Sequence, residues 1–182
     1  MIAFAHFLDN TMKPLQPYLI GLAIMCWAIS AVSVIRASRA REPMIIGVPK
    51  KIPRGFLAGG IVFAAVIGGE FAVGGLIERG AVLEIWPLLS SRIESVTVSG
   101  AALKETDAVV NALREMFSPT MAHHSHPTKC FRVVLQTEKG SLELDPCRDS
   151  DNPHEYWVYY PNFKFTRMNE VGHAFTDALD GM

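Results

Sequence analysis

Positive charge is scarce where a nucleic-acid surface would need it. Residues 81–182 hold nine Lys/Arg against fourteen Asp/Glu, a net charge of −5, whereas residues 1–80 hold eight and four, net +4. Binding a phosphate backbone requires a basic surface that displaces counterions, so the acidic C-terminal part excludes nucleic acid as a partner. Catalytic signatures are missing as well. The chain has no G-x-S-x-G, no H-E-x-x-H and no phosphate-binding glycine-rich loop, and spacing alone sets no nucleophile beside a base. The most informative absence is that of charge itself, over two stretches near the N-terminus.

Tyr18 to Ile35 is eighteen residues without a charge, and Phe56 to Ile77 is twenty-two with one. At 1.5 Å per residue these reach roughly 27 and 33 Å, enough to cross a hydrocarbon core of about 30 Å, the first with little to spare. Neither shows the polar face of a soluble core helix. The pattern predicts a two-span transmembrane α-helical hairpin in a lipid bilayer, with spans at 18–35 and 56–77 and a linker at 36–55. A cleaved signal peptide would carry its positive charge before a shorter apolar stretch. Here the charges follow: Arg36, Arg39, Arg41, Lys50, Lys51 and Arg54 crowd the linker, against Lys13 alone in the N-terminal tail. The positive-inside rule puts the linker in the cytoplasm and both the N-terminus and the C-terminal domain outside it. In a bacterium that is the inner membrane with a periplasmic domain.

The tail, residues 1–17, places Met1, Phe4, Ala5, Leu8 and Met12 at helical spacing. It reads either as a short helix lying in the membrane interface or as a frayed terminus. Within the second span Gly60, Ala64, Gly68 and Ala72 recur every fourth residue. Such a strip lets another backbone approach closely, which serves either a homo-oligomer or protein partner through this helix, or packing within the hairpin. Glu70 is the one ionisable residue inside a span, and an intramembrane carboxylate is costly unless paired, protonated or hydrated. Counting depth along an antiparallel hairpin brings Trp27 near it, whose indole N–H could donate to the carboxylate. Cys26 reads as a small apolar filler.

From about residue 84 to 182 the periodicity changes. Glu94 to Ser99 alternates as a half-buried strand, and Lys104 to Phe117 carries an amphipathic helix stripe at Val109, Ala112, Leu113, Met116 and Phe117. Cys130 to Thr137 and Ser141 to Pro146 form a hairpin around Glu138, Lys139 and Gly140. The register that matches apolar faces sets Phe131, Val133 and Leu135 against Pro146, Leu144 and Leu142, and Arg132 against Asp145. It also sets Cys130 against Cys147, a pair that forms a disulfide readily in an oxidising compartment. His154 to Tyr160 is a further strand, Phe163 to Thr166 a short one, and Asn169 caps a last helix with Val171, Ala174, Phe175 and Leu179 inward. The expected order is β-α-β-β-β-(β)-α, a small two-layer α+β domain with an antiparallel sheet and both helices on one face.

Three groups in this domain carry candidate chemistry. His123, His124 and His126, with Cys130 close by, are ligand types for zinc or copper, although their spacing matches no standard metal motif. Asp145, Asp149, Asp151, Asn152 and Glu155 offer oxygen ligands in a turn, without the glycine and distal Glu of an EF-hand loop. Tyr156, Trp157, Tyr159 and Tyr160 alternate across one strand, so one pair enters the core. The other pair is either a binding surface or covered by another segment. Together these features lead to the expectation of a membrane-anchored, non-enzymatic interaction or assembly protein presenting an extracytoplasmic domain. The alternative is an extracytoplasmic ligand or metal sensor that uses the His-rich loop or the acidic turn.

Overall fold

The computed structural model describes residues 1–39, 44–45, 48–49, 54–103, 106–118 and 125–180. They form two compact units: Thr11–Gly75, and Met1–Asn10 together with Leu76–Met182. Two long helices, α1 (Ile2–Arg39) and α2 (Arg54–Leu89), contribute to both. Their segments Pro14–Arg36 and Leu57–Leu89 are long and apolar enough to cross a membrane. Two short strands, β1 (Met44–Ile45) and β2 (Val48–Pro49), pair antiparallel between them.

In the first unit the helices approach at Gly59. A Cβ there would lie 1.7 Å from Ser30 Oγ and 2.8 Å from the Cys26 carbonyl oxygen, and Ala23 and Ser30 are buried. Ser30 satisfies its hydroxyl inside α1 by donating to the Cys26 carbonyl across 2.8 Å. The contact therefore runs through small side chains, as close packing between apolar helices requires.

α1 begins at Ile2 and runs on through the tail without a break. α2 likewise does not stop at Ile77 but continues to Leu89. Ile77, Ala81, Ile85 and Leu89 fall at four-residue spacing and are all buried, so tertiary packing holds the extra turns in register. Pro87 lies inside the final turn. Beyond it the C-terminal carbonyls find donors: Arg114 Nε reaches the Leu89 oxygen at 2.9 Å and Ser91 Oγ reaches the Leu88 oxygen at 2.7 Å.

The sheet comprises β3 (Ile93–Val98), β4 (Ala101–Ala102), β5 (Pro127–Cys130), β6 (Val133–Thr137), β7 (Gly140–Asp149), β8 (Glu155–Tyr159) and β9 (Gly172–Phe175). Its order is β4-β3-β6-β7-β8-β9, with β5 also beside β7, and every pairing is antiparallel. In the central hairpin Val133 faces Leu144, Leu135 faces Leu142 and Cys130 faces Cys147. One face of the sheet buries Val96, Val98, Val133, Leu135, Leu144 and Val158. The amphipathic helix α3 (Thr106–Glu115) buries Val109, Val110, Ala112 and Leu113 and packs on β9.

Two expectations fail in the C-terminal segment. Among the described residues no helix follows Asn169: Gly172–Phe175 is β9, which pairs with β8 from Val158↔Gly172 to Glu155↔Phe175. Val171, Ala174 and Leu179 are buried as the helical reading had it, but Phe175 is exposed. The open edge of β8 offers ladder hydrogen bonds that a helix would leave unmade. Gly172 also fits where a Cβ would meet the Met116 carbonyl oxygen at 2.1 Å, and the His173 N–H donates to that oxygen. Phe163–Thr166 is not a strand either. It turns back on itself, with the Tyr160 N–H donating to the Thr166 oxygen and the Arg167 N–H to the Phe163 oxygen.

Candidate functional site

The sheet face opposite the core carries the chemistry of the domain. β7 ends at Asp149, a buried residue whose carboxylate gathers donors from three segments. Ser125 Oγ donates to Oδ2, Trp157 Nε1 donates to the same oxygen at 2.6 Å, and the backbone N–H groups of Asp151 and Asn152 reach Oδ1 at 2.7 and 2.9 Å. Burial pushes the carboxyl pKa up, but the donors from Ser125, Trp157, Asn152 and Asp151 outweigh it and hold the group well below the usual carboxylate range. Asp149 therefore stays ionised and organises the turn that follows it. Beside it Glu155, also buried, meets His173 Nδ1 at 2.7 Å, and the His173 ring lies 5.0 Å from the Trp157 ring.

Further along the same face the Cys130 and Cys147 sulfurs are 2.02 Å apart, disulfide-bonded across a sequence separation of 17. An open groove of about 570 Å³ runs over this bond, lined also by Phe131, Tyr159 and Met168, with Arg132, Asp145 and Arg167 contributing charge. Arg132 Nε contacts Glu143 at 3.0 Å and Asp145 at 3.4 Å. An Arg167 Nη donates to the Pro161 carbonyl at 2.8 Å. Burial and the negative charge of Glu170 push the Tyr159 hydroxyl above its ordinary pKa, so it remains a neutral donor.

The aromatic quartet divides between the two faces. Tyr156 and Tyr160 are buried in the core, whereas Trp157 and Tyr159 are half-buried on the groove side. Trp157 is committed to Asp149 and His173, and Tyr159 is the member that lines the groove. The acidic turn does not gather its oxygens around one point, because Asp149 faces four donors and Glu155 faces His173. His123 and His124 lie outside the described residues. His126 is exposed, and Cys130 is occupied by its disulfide. An exposed cluster does form elsewhere: His154 Nδ1 lies 2.8 Å from Asp177 and 2.7 Å from Asp180, with the three ligand atoms within 4.8 Å of one another.

Among the helical residues, Trp27 is 64% exposed, and among the described residues it makes no hydrogen bond to Glu70. Glu70 is half-buried, and its Oε1 is buried without a hydrogen-bond partner among the described residues. The four-residue strip lies off the Gly59 contact. A Cβ on Gly60 or Gly68 would meet nothing within 4 Å, and Ala64 and Ala72 are exposed.

One polar cluster was invisible to local sequence pattern. Glu84 of α2 accepts from the Tyr160 hydroxyl at 2.8 Å and meets His6 Nε2 at 2.9 Å, while the His6 ring stacks on Phe163 at 4.0 Å. Burial, then the Glu84 hydrogen bond and charge, pushes the Tyr160 hydroxyl far above its ordinary pKa. Asp9, buried on the same N-terminal segment, accepts the backbone N–H groups of Lys164 and Phe165 at 2.5 and 2.7 Å. Gly80 leaves room for Ala5, whose Cβ would lie 2.2 Å from a Cβ at that position. No heptad, motif or charge run announces contacts made across more than seventy residues of chain.

Comparison with protein-family models, with curated proteins and with solved structures finds no match for this chain. Its geometry defines two long apolar helices joined to an antiparallel sheet domain whose outer face bears a disulfide-floored groove.

Proposed function

We propose that this chain is a membrane-anchored, non-enzymatic assembly protein. The hairpin spans the bilayer with its basic linker in the cytoplasm, α2 associates with α2 of a second copy, and the sheet domain presents its outer face on the extracytoplasmic side. The observation that carries this reading is the open strip Gly60, Ala64, Gly68 and Ala72, which stands clear of the contact between α1 and α2 at Gly59. Lipid tails gain little dispersion contact from such a shallow surface, whereas a second helix can approach it closely and form many contacts. An oxidised Cys130–Cys147 pair accords with an extracytoplasmic domain, since disulfides persist in oxidising compartments.

The test is crosslinking of the full-length protein in native membranes, comparing wild type with Gly68→Ile and Ala64→Ile. Wild type should yield a dimer band that both variants lose, because bulk in the strip separates the backbones at a cost of about 1–3 kcal/mol. A monomer in all three would overturn the reading. Topology is read separately with C-terminal reporter fusions, which should be active only outside the cytoplasm.

A second reading, an extracytoplasmic sensor that takes zinc or copper, is favoured by one observation. His154, Asp177 and Asp180 present three ligand atoms close together at the surface, as open sites with a water in the fourth position do. Stoichiometric metal in the purified protein, lost in His154→Ala, would support it.

A further inference from the structure

We propose that the groove over the Cys130–Cys147 disulfide takes an extended segment of a partner polypeptide in which an acidic side chain neighbours an apolar one. This deepens the reading of the domain as a presenting module and does not depend on the helix strip. The floor and walls are apolar: the disulfide, Phe131, the Tyr159 ring and Met168, the last 68% exposed. Thioether and disulfide sulfurs are polarisable, and a methionine side chain adapts to varied apolar partners. A volume of about 570 Å³ lies within the range of sites that bury a small ligand or a few residues of chain.

Charge selects the occupant. In a domain with an excess of acidic residues, the groove is flanked by two arginines. Among the described residues the Arg167 side chain bonds the Pro161 carbonyl, and no carboxylate there lies within ion-pair distance of it. Its planar fork can still take a carboxylate through paired N–H groups. Arg132 is partly neutralised by Glu143 and Asp145 through Nε. Asp145 also lines the groove, which decides between anions. A phosphate dianion would be repelled by it, whereas a peptide supplies backbone N–H donors to Asp145 and a single carboxylate to Arg167. The arrangement thus suits a polypeptide better than a phosphate or a lipid headgroup.

The experiment uses the full-length protein in nanodiscs of uncharged lipid. Binding of short fluorescent peptides that alternate Leu with Glu, Leu with Gln, or Leu with Lys is followed by anisotropy. The Leu–Glu peptide should bind about tenfold or more tightly than the other two. Arg167→Glu should reverse that order, lowering Leu–Glu affinity and raising that of Leu–Lys, a gain that misfolding would not produce. Met168→Ser should weaken all three, since it removes apolar contact without adding charge, and Gly68→Ile should change none, which separates this result from the fate of the helix strip. Equal binding of the three peptides, or an order unchanged by Arg167→Glu, would overturn the proposal. So would displacement of the Leu–Glu peptide by inorganic phosphate or by anionic vesicles at matching anion concentration, which would make the groove a simple anion site.

Discussion

The indole N–H of Trp157 donates to the Asp149 carboxylate across 2.6 Å, tying β8 to the end of β7. Because Ser125 and two backbone N–H groups share that carboxylate, one buried charge holds three segments of the outer face together.

Asp149→Asn should destabilise the protein by about 3 kcal/mol near neutral pH, since an amide offers one uncharged acceptor oxygen to donors arranged for a carboxylate. The pH dependence has a definite sign. The folded pKa is depressed below an unfolded value of about 3.9, so the contribution is complete above about pH 4 and is lost as pH falls toward the folded value. Urea unfolding of the full-length protein in micelles should show the gap between wild type and variant narrowing below about pH 4. A constant gap would count against the hydrogen-bonded carboxylate as its source.

Gly59→Leu should separate α1 from α2, because even a Cβ would overlap Ser30 and crowd the Cys26 carbonyl. A loss of about 1–3 kcal/mol is expected from overpacking. Thermal melts in micelles should place it well below Gly21→Leu, where a Cβ meets nothing within 4 Å and which lies outside the strip on α2.

Asp9→Ala removes the acceptor for two backbone donors, Lys164 and Phe165. Stability should fall by about 2 kcal/mol, the usual cost of stranding hydrogen bonds made to a charged group. Hydrogen exchange should accelerate at those two amides far more than at the amides of β6 and β7. Uniform acceleration would mean that Asp9 acts elsewhere.

Reducing Cys130–Cys147, or replacing both residues by Ser, should cost about 3 kcal/mol, the chain-entropy expectation for a loop of this length. The reductant should lower the Tm of wild type and leave the double variant unchanged.

Much of this architecture is legible residue by residue. The hairpin register follows from apolar matching: with Leu135 against Leu142 and Val133 against Leu144, Cys130 can only face Cys147. α3 announces itself through Val109, Ala112 and Leu113 at helical spacing. The segment Val171 to Leu179 misleads because Val171, Ala174 and Leu179 satisfy a helical period and are buried in the fold as well. What decides for a strand is the unfilled edge of β8 and the close approach of Met116 to Gly172, neither of which is written in that segment. The groove is half legible. Its disulfide and Tyr159 are visible as sequence features, but Arg167 and Met168 follow Phe163–Thr166, which turns back on itself where the sequence suggests a short strand, and nothing local brings them to the groove.

By itself the sequence determined the two apolar helices, the charge asymmetry around them and the pairing of the central hairpin, because each depends on neighbours a few residues apart or on one turn between strands. Tertiary structure alone decided that α2 runs on to Leu89, that Asp9 holds Phe165 at a separation of 156 residues and that Glu84 holds Tyr160 at a separation of 76. It also decided that Gly59, and not the regular strip beginning at Gly60, forms the contact between the helices. The reason is common to all of these: periodicity reports which face of an element is apolar or small, but which partner meets that face depends on how distant elements can pack without leaving polar groups unpaired.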